Sequence, residues 1–201
     1  MRDLVLSYGD LAKMVRYVTF ESELFVSKPF VLLAESFSTP LAIQIAAERP
    51  PNLKGLVLCA GFAASPIRGP LRWLAWLTAP VLMRIALPEA VIRSRLIGEE
   101  APASLVEAVR AAISSVQPQV LAARLRAVLT CDVRSDLANI SVPILYLQAK
   151  NDRLLRPKCL DEMRSLRGDI RVVEVDGPHF LLQREPQKTA EIVTNFLREL
   201  G

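Results

Sequence analysis

Hydrophobic and polar positions come in blocks along this chain. Four short and nearly continuous apolar runs stand out: 30–34 (FVLLA), 55–60 (GLVLCA), 143–149 (PILYLQA) and 170–175 (IRVVEV). Runs of this length with little or no polar face predict strands buried on both sides, as in a parallel sheet. Between them the period lengthens to that of a helix. Leu11, Met14, Val15 and Val18 follow Ser7-Tyr8-Gly9-Asp10, which has capping-box form with Asp in the usual place of Glu. Pro40 opens a second helix carrying Leu41, Ile43, Ile45 and Ala46, and Arg49-Pro50-Pro51 ends it. Residues 159–166 predict a short helix. A closing helix starts at Pro186, with Ile192, Val193, Phe196 and Leu197 at helical spacing.

Strand and helix therefore alternate. The exception is an Ala-, Arg-, Leu- and Pro-rich stretch at about 65–134, which has helical periodicity and no strand signal. Parallel strands need crossover helices, so this order predicts an α/β fold. We expect one domain over 1–201, a mostly parallel sheet flanked by helices, with a helical cap inserted at about 65–134.

In open parallel sheets ligands bind beyond the carboxyl ends of the strands. The polar residues that follow the predicted strands are Ser36 after the first, Asp152 after the third and His179, the only histidine, after the fourth. A serine hydroxyl becomes a useful nucleophile when an imidazole takes its proton. The imidazole in turn needs a carboxylate to set its tautomer. The backbone N–H of Phe37, at the start of the next helix, would face the oxyanion formed on attack.

Three stretches carry a family resemblance: LLAESFSTPLA at Ser36, PILYLQAKNDRLLRP at Asp152 and VDGPHFLLQREP at His179. The chain resembles an α/β-hydrolase of the serine esterase and lipase kind, whose triad runs Ser, acid, His in chain order. The resemblance implies Ser36 as nucleophile, Asp152 as acid and His179 as base. It implies a carboxylesterase acting on a small or medium apolar ester through an acyl-enzyme, with no cofactor or metal. Thioesterase, amidase and carbon–carbon bond hydrolase activities belong to the same fold, and a remnant that only binds is the rival from another class.

The likeness departs from the family in two places. Ala34 and Ser38 stand where the usual elbow has glycines. Only 29 residues precede Phe30, too few for the family's earlier strands and its His-Gly loop, so the fold is expected in N-terminally shortened form. The strand before Ser36 would then be a bare edge, which predicts either a homodimer through that edge or further sequence upstream.

Around the site, Glu35 is a candidate pocket residue. Trp73, Trp76, Leu77 and Met83 are spaced like the buried face of a cap helix or the wall of an acyl pocket. Asp132 and Asp136 fall at the amino end of the third strand and read as structural, with Asp136 the alternative acid.

Composition narrows the partners. The chain is 51% hydrophobic and 23% charged, which excludes disorder. A net charge of +4 comes from scattered Lys and Arg, without the dense basic patch of a nucleic-acid binder. Cys59, Cys131 and Cys159 are odd in number and lack a CxxC spacing, which favours a reducing compartment. The apolar stretch 71–87 is broken by Arg72, Pro80 and Arg84, too short to span a bilayer, although a lipase touching lipid through it is a further alternative. With no apolar leader visible, we expect a cytoplasmic protein whose partner is a small-molecule ester.

Overall fold

Each of the four apolar runs forms a strand in a computed structural model of the chain, which describes residues 6–21 and 28–201. The strands are β1 (Phe30–Glu35), β2 (Leu53–Cys59), β3 (Ile144–Ala149) and β4 (Arg171–Val175). They pair in parallel in the order β1-β2-β3-β4. The helices are α1 (Tyr8–Glu21), α2 (Thr39–Ala47), α3 (Pro70–Leu82), α4 (Glu89–Val91), α5 (Ala103–Ser114), α6 (Pro118–Thr130), α7 (Arg134–Asn139), α8 (Lys158–Leu166), α9 (Leu181–Arg184) and α10 (Pro186–Glu199). A π-helical turn, Ile92–Ile97, continues α4.

Strand alternation sorts the core onto two faces. Leu56, Leu58, Ile144 and Tyr146 point into one cluster, with Ile43 and Ala46 of α2, Leu137 of α7 and Met163 of α8. Val57, Cys59, Leu145 and Leu147 point into the other, with Leu181 and Phe196. Gly55 allows α10 to sit close: a Cβ there would come within 2.7 Å of Leu200. The central strands are thus covered on both sides, as their sequences require.

β1 is different. Among the described residues it pairs only with β2, and its Leu33 is 48% exposed. Burial on both faces holds for the middle of the sheet and not for this edge.

The capping box at Ser7 forms as read. Ser7 N–H donates to Asp10 Oδ2 (3.0 Å) and Asp10 N–H to Ser7 Oγ (3.2 Å). The helices between β2 and β3 leave and return through a narrow neck, where Ser65 N–H donates to the Cys131 carbonyl and Val133 N–H to that of Ala63. Within that segment α3 packs against α6, but of its residues only Ala79 is buried. Trp73 and Leu77, expected on the covered face, are 61% and 65% exposed. No helix among the described residues is long and apolar enough to cross a membrane.

Candidate active site

All four strands are parallel, so their carboxyl ends share one edge of the sheet. β1 and β4 lie at opposite sides, roughly 14 Å apart at the usual strand spacing. A residue after β4 meets one after β1 only if its loop reaches back across the sheet. Backbone bonds steer it: Lys150 N–H donates to the Val175 carbonyl and Asn151 N–H to that of Gly177. Phe180 N–H then donates to the Leu96 carbonyl of the π-helical turn (2.8 Å).

At the end of β1 the chain turns sharply. Glu35 is still extended, and Ser36 has φ of 52°, in the left-handed region. A non-glycine residue there is held by its surroundings against an intrinsic cost. Ser38 supplies part of the hold, since its hydroxyl donates to the Glu35 carbonyl (2.9 Å) and accepts from the Glu35 N–H (3.0 Å). Thr39, fully buried, donates to the Ser36 carbonyl (2.7 Å) and accepts from Phe62 N–H (3.2 Å). Gly61 is required beside it, because a Cβ would lie 2.6 Å from Thr39. Tyr8 of α1 donates its hydroxyl to the Phe37 carbonyl (2.9 Å) and stacks on the Phe37 ring at 4.9 Å.

His179 is fully buried between the other two polar residues. Its Nε2 lies 2.7 Å from Ser36 Oγ and its Nδ1 2.7 Å from Asp152 Oδ2. The other carboxylate oxygen of Asp152 accepts the N–H groups of Leu154 and Leu155, both at 2.8 Å. This fits the tautomer in which Nδ1–H donates to Asp152 and Nε2 accepts from the Ser36 hydroxyl.

Ser36 opens onto a cavity of about 630 Å³. Phe37, Phe62, Ile67, Leu125 and Val128 form an apolar wall, and Arg95, Arg153 and Arg156 line the cavity as well.

Glu35 lies outside this lining. Its carboxylate accepts from the Leu182 N–H (3.2 Å), from Gln183 Nε2 (2.9 Å) and from the Cys59 thiol (3.7 Å). Burial, and then the Glu35 charge, push the Cys59 thiol up from its ordinary value. Trp73, Trp76 and Met83 are also absent from the lining. Arg126 stands over the Trp76 ring at 4.3 Å and donates to the Trp76 carbonyl, while Arg72 covers Trp73 at 5.3 Å. Asp132 is hydrogen-bonded to Arg134, and neither it nor Asp136 lines the cavity. Among the described residues no three His, Cys, Asp or Glu side chains cluster as metal ligands would.

Sequence reasoning missed Thr39, the anchoring role of Glu35 and the arrival of Arg95. A hydroxyl just before Pro40 at a helix start was a usable signal for Thr39. Arg95 arrives through packing of a distant turn, which leaves no local trace.

The family model described as serine aminopeptidase, S33, matches residues 2–168. The chain belongs to that family. It is a hydrolase of the α/β-hydrolase superfamily. No curated protein matches it. Solved structures agree on the fold. An esterase from Thermogutta terrifontis is 20% identical with a TM-score of 0.81, covering 98% of this chain and 74% of its own. A bromoperoxidase from Bacillus anthracis is 12% identical with a TM-score of 0.83, covering 96% of this chain and 74% of its own. A lipase-esterase related protein from Clostridium acetobutylicum is 18% identical with a TM-score of 0.76, covering 94% and 75%.

Proposed function

We propose that this member of the family is a serine hydrolase cleaving a small or medium apolar carboxylic ester, with Ser36, His179 and Asp152 as its triad. The observation that supports the reading is the unbroken chain from Ser36 Oγ through His179 to Asp152, 2.7 Å at each link, with Ser36 facing an apolar-walled cavity. His179 Nε2 takes the Ser36 proton as Oγ attacks the ester carbonyl. The Phe37 N–H, at the turn into α2, stabilises the oxyanion. The carbon–oxygen bond to the alcohol breaks, and the alcohol leaves with the proton that His179 carries. Water then repeats the sequence on the acyl-enzyme, releasing the acid and restoring Ser36.

The cavity favours an ester over an aminopeptide. A peptide's terminal ammonium needs a carboxylate, and the one that lines the cavity among the described residues, Asp152, is taken up by His179 and two backbone N–H groups. The arginines beside it repel an ammonium.

A fluorophosphonate probe tests the triad. Covalent labelling of the wild type, lost in Ser36→Ala and in His179→Ala, is the expected result; a folded wild type that takes no label would point to a binding module instead. Faster hydrolysis of an aminoacyl 4-nitroanilide than of 4-nitrophenyl butyrate would replace the ester with an amide.

A further inference from the structure

We propose that the substrate carries a carboxylate at the end of its apolar chain, and that Arg95, Arg153 and Arg156 receive it. The inference deepens the ester hydrolase reading and rests on it for the chemistry, though not for the binding. Arg153 and Arg156 belong to the loop that follows Asp152, and Arg95 to the π-helical turn Ile92–Ile97. Arg95 Nη1 donates to the Arg153 carbonyl (2.9 Å), which joins the two segments, and all three arginines, each exposed, line the same cavity as Ser36.

In pairing they differ from six other arginines of the chain, though not from Arg72, Arg84, Arg126 or Arg184, which among the described residues also lack an ion pair but do not line the cavity. Arg68, Arg93, Arg110, Arg134, Arg167 and Arg171 each meet an Asp or Glu. Among the described residues no carboxylate lies in ion-pair contact with Arg95, Arg153 or Arg156. Like charges gathered in a partly enclosed cavity raise its potential, and an anion relieves the repulsion. Guanidinium forks match a carboxylate in shape as well as in charge. The apolar lining, with Phe62, Ile67, Leu125 and Val128, suits a short methylene chain. The two halves describe the half-ester of a dicarboxylic acid: the ester carbonyl at Ser36, the methylenes on the wall, the free acid at the arginines.

Binding to Ser36→Ala tests this without turnover, by isothermal titration of monoethyl glutarate against ethyl pentanoate. These ligands are alike in length and differ in charge. We expect the anionic ester to bind about tenfold more tightly, as one or two charge-assisted hydrogen bonds would give, and the advantage to shrink as salt is raised. Adding R153Q and R156Q should bring the two affinities together, while R153K with R156K keeps part of the difference. Equal affinities, a preference for the neutral ester, no saturable binding of either, or a preference untouched by R153Q/R156Q overturns the proposal. Should the double variant fail to fold, the charge preference and its salt dependence in Ser36→Ala decide alone. Because Ser36→Ala cannot form an acyl-enzyme, this result is independent of the fluorophosphonate labelling, so either reading can fail without the other.

Discussion

Ser36 sits at φ of 52°, where an L-residue costs on the order of 1 kcal/mol or more that the surrounding turn must offset. Glycine has no such cost. Ser36→Gly should therefore raise stability by about 1 kcal/mol in urea denaturation while taking no fluorophosphonate label; a destabilised Ser36→Gly would mean that the hydroxyl's bond to His179 outweighs the strain. Asp152 acts one residue further from the carbonyl. Asp152→Asn keeps the shape but favours the wrong imidazole tautomer, and we expect the rate on 4-nitrophenyl butyrate to fall about 10⁴-fold. The cysteines differ by burial. Cys59 and Cys131 are buried, and desolvation pushes the Cys131 thiol up to about 12. At pH 8, iodoacetamide should modify the half-buried Cys159 first and reach the other two only on unfolding, as a mass-spectrometric time course would read.

At the scale of elements, the site depends on how the ends of β1 and β4 are tied together. Glu35 closes β1 and holds the Leu182 N–H and the Gln183 side chain of α9, a helix that starts two residues after His179. Glu35→Ala removes the acceptor from Leu182 N–H, Gln183 and the Cys59 thiol at once. Leaving partly buried donors unpaired costs roughly 1–3 kcal/mol, to be read from the shift in the urea midpoint at unchanged slope. A midpoint within error of the wild type would mean that water replaces the carboxylate. The helix α3 carries the opposite lesson. Its Trp73 and Leu77 are spaced like a buried stripe, yet both face outward, because α3 is apolar nearly all round and its covered side is set by where α6 lies.

For the whole molecule, the charge pairs set the response to acid. Asp132 is held below the usual carboxylate range by hydrogen bonds from Arg134, and Asp169 likewise by Arg167. As pH falls through the ordinary carboxylate value near 4, the unfolded chain takes up protons that the folded chain refuses. Stability is therefore retained above that value and lost below it, until the folded-state values are also passed. Both carboxylates are exposed, so each contributes little. The urea midpoint should be lower at pH 3 than at pH 6, with a smaller drop in Asp132→Asn; a midpoint that rose on acidification would reverse the assignment.

The strands β2 and β3 were legible because a covered parallel strand must be apolar throughout, a local demand written into GLVLCA and PILYLQA. The edge strands β1 and β4 were legible from the same pattern in FVLLA and IRVVEV, although one side of each is less covered. Ser36, Asp152 and His179 were legible for a related reason: parallel strands place whatever follows them at one edge, so chain order alone nominates the residues that the structure then brings within 2.7 Å. Which loop reaches back across the sheet, what Glu35 grips, which side of α3 is covered and how Arg95 comes to the cavity were decided by tertiary structure. The Arg95–Arg153 and Glu35–Gln183 contacts join residues 58 and 148 positions apart, and no local period or propensity records a partner at such distances.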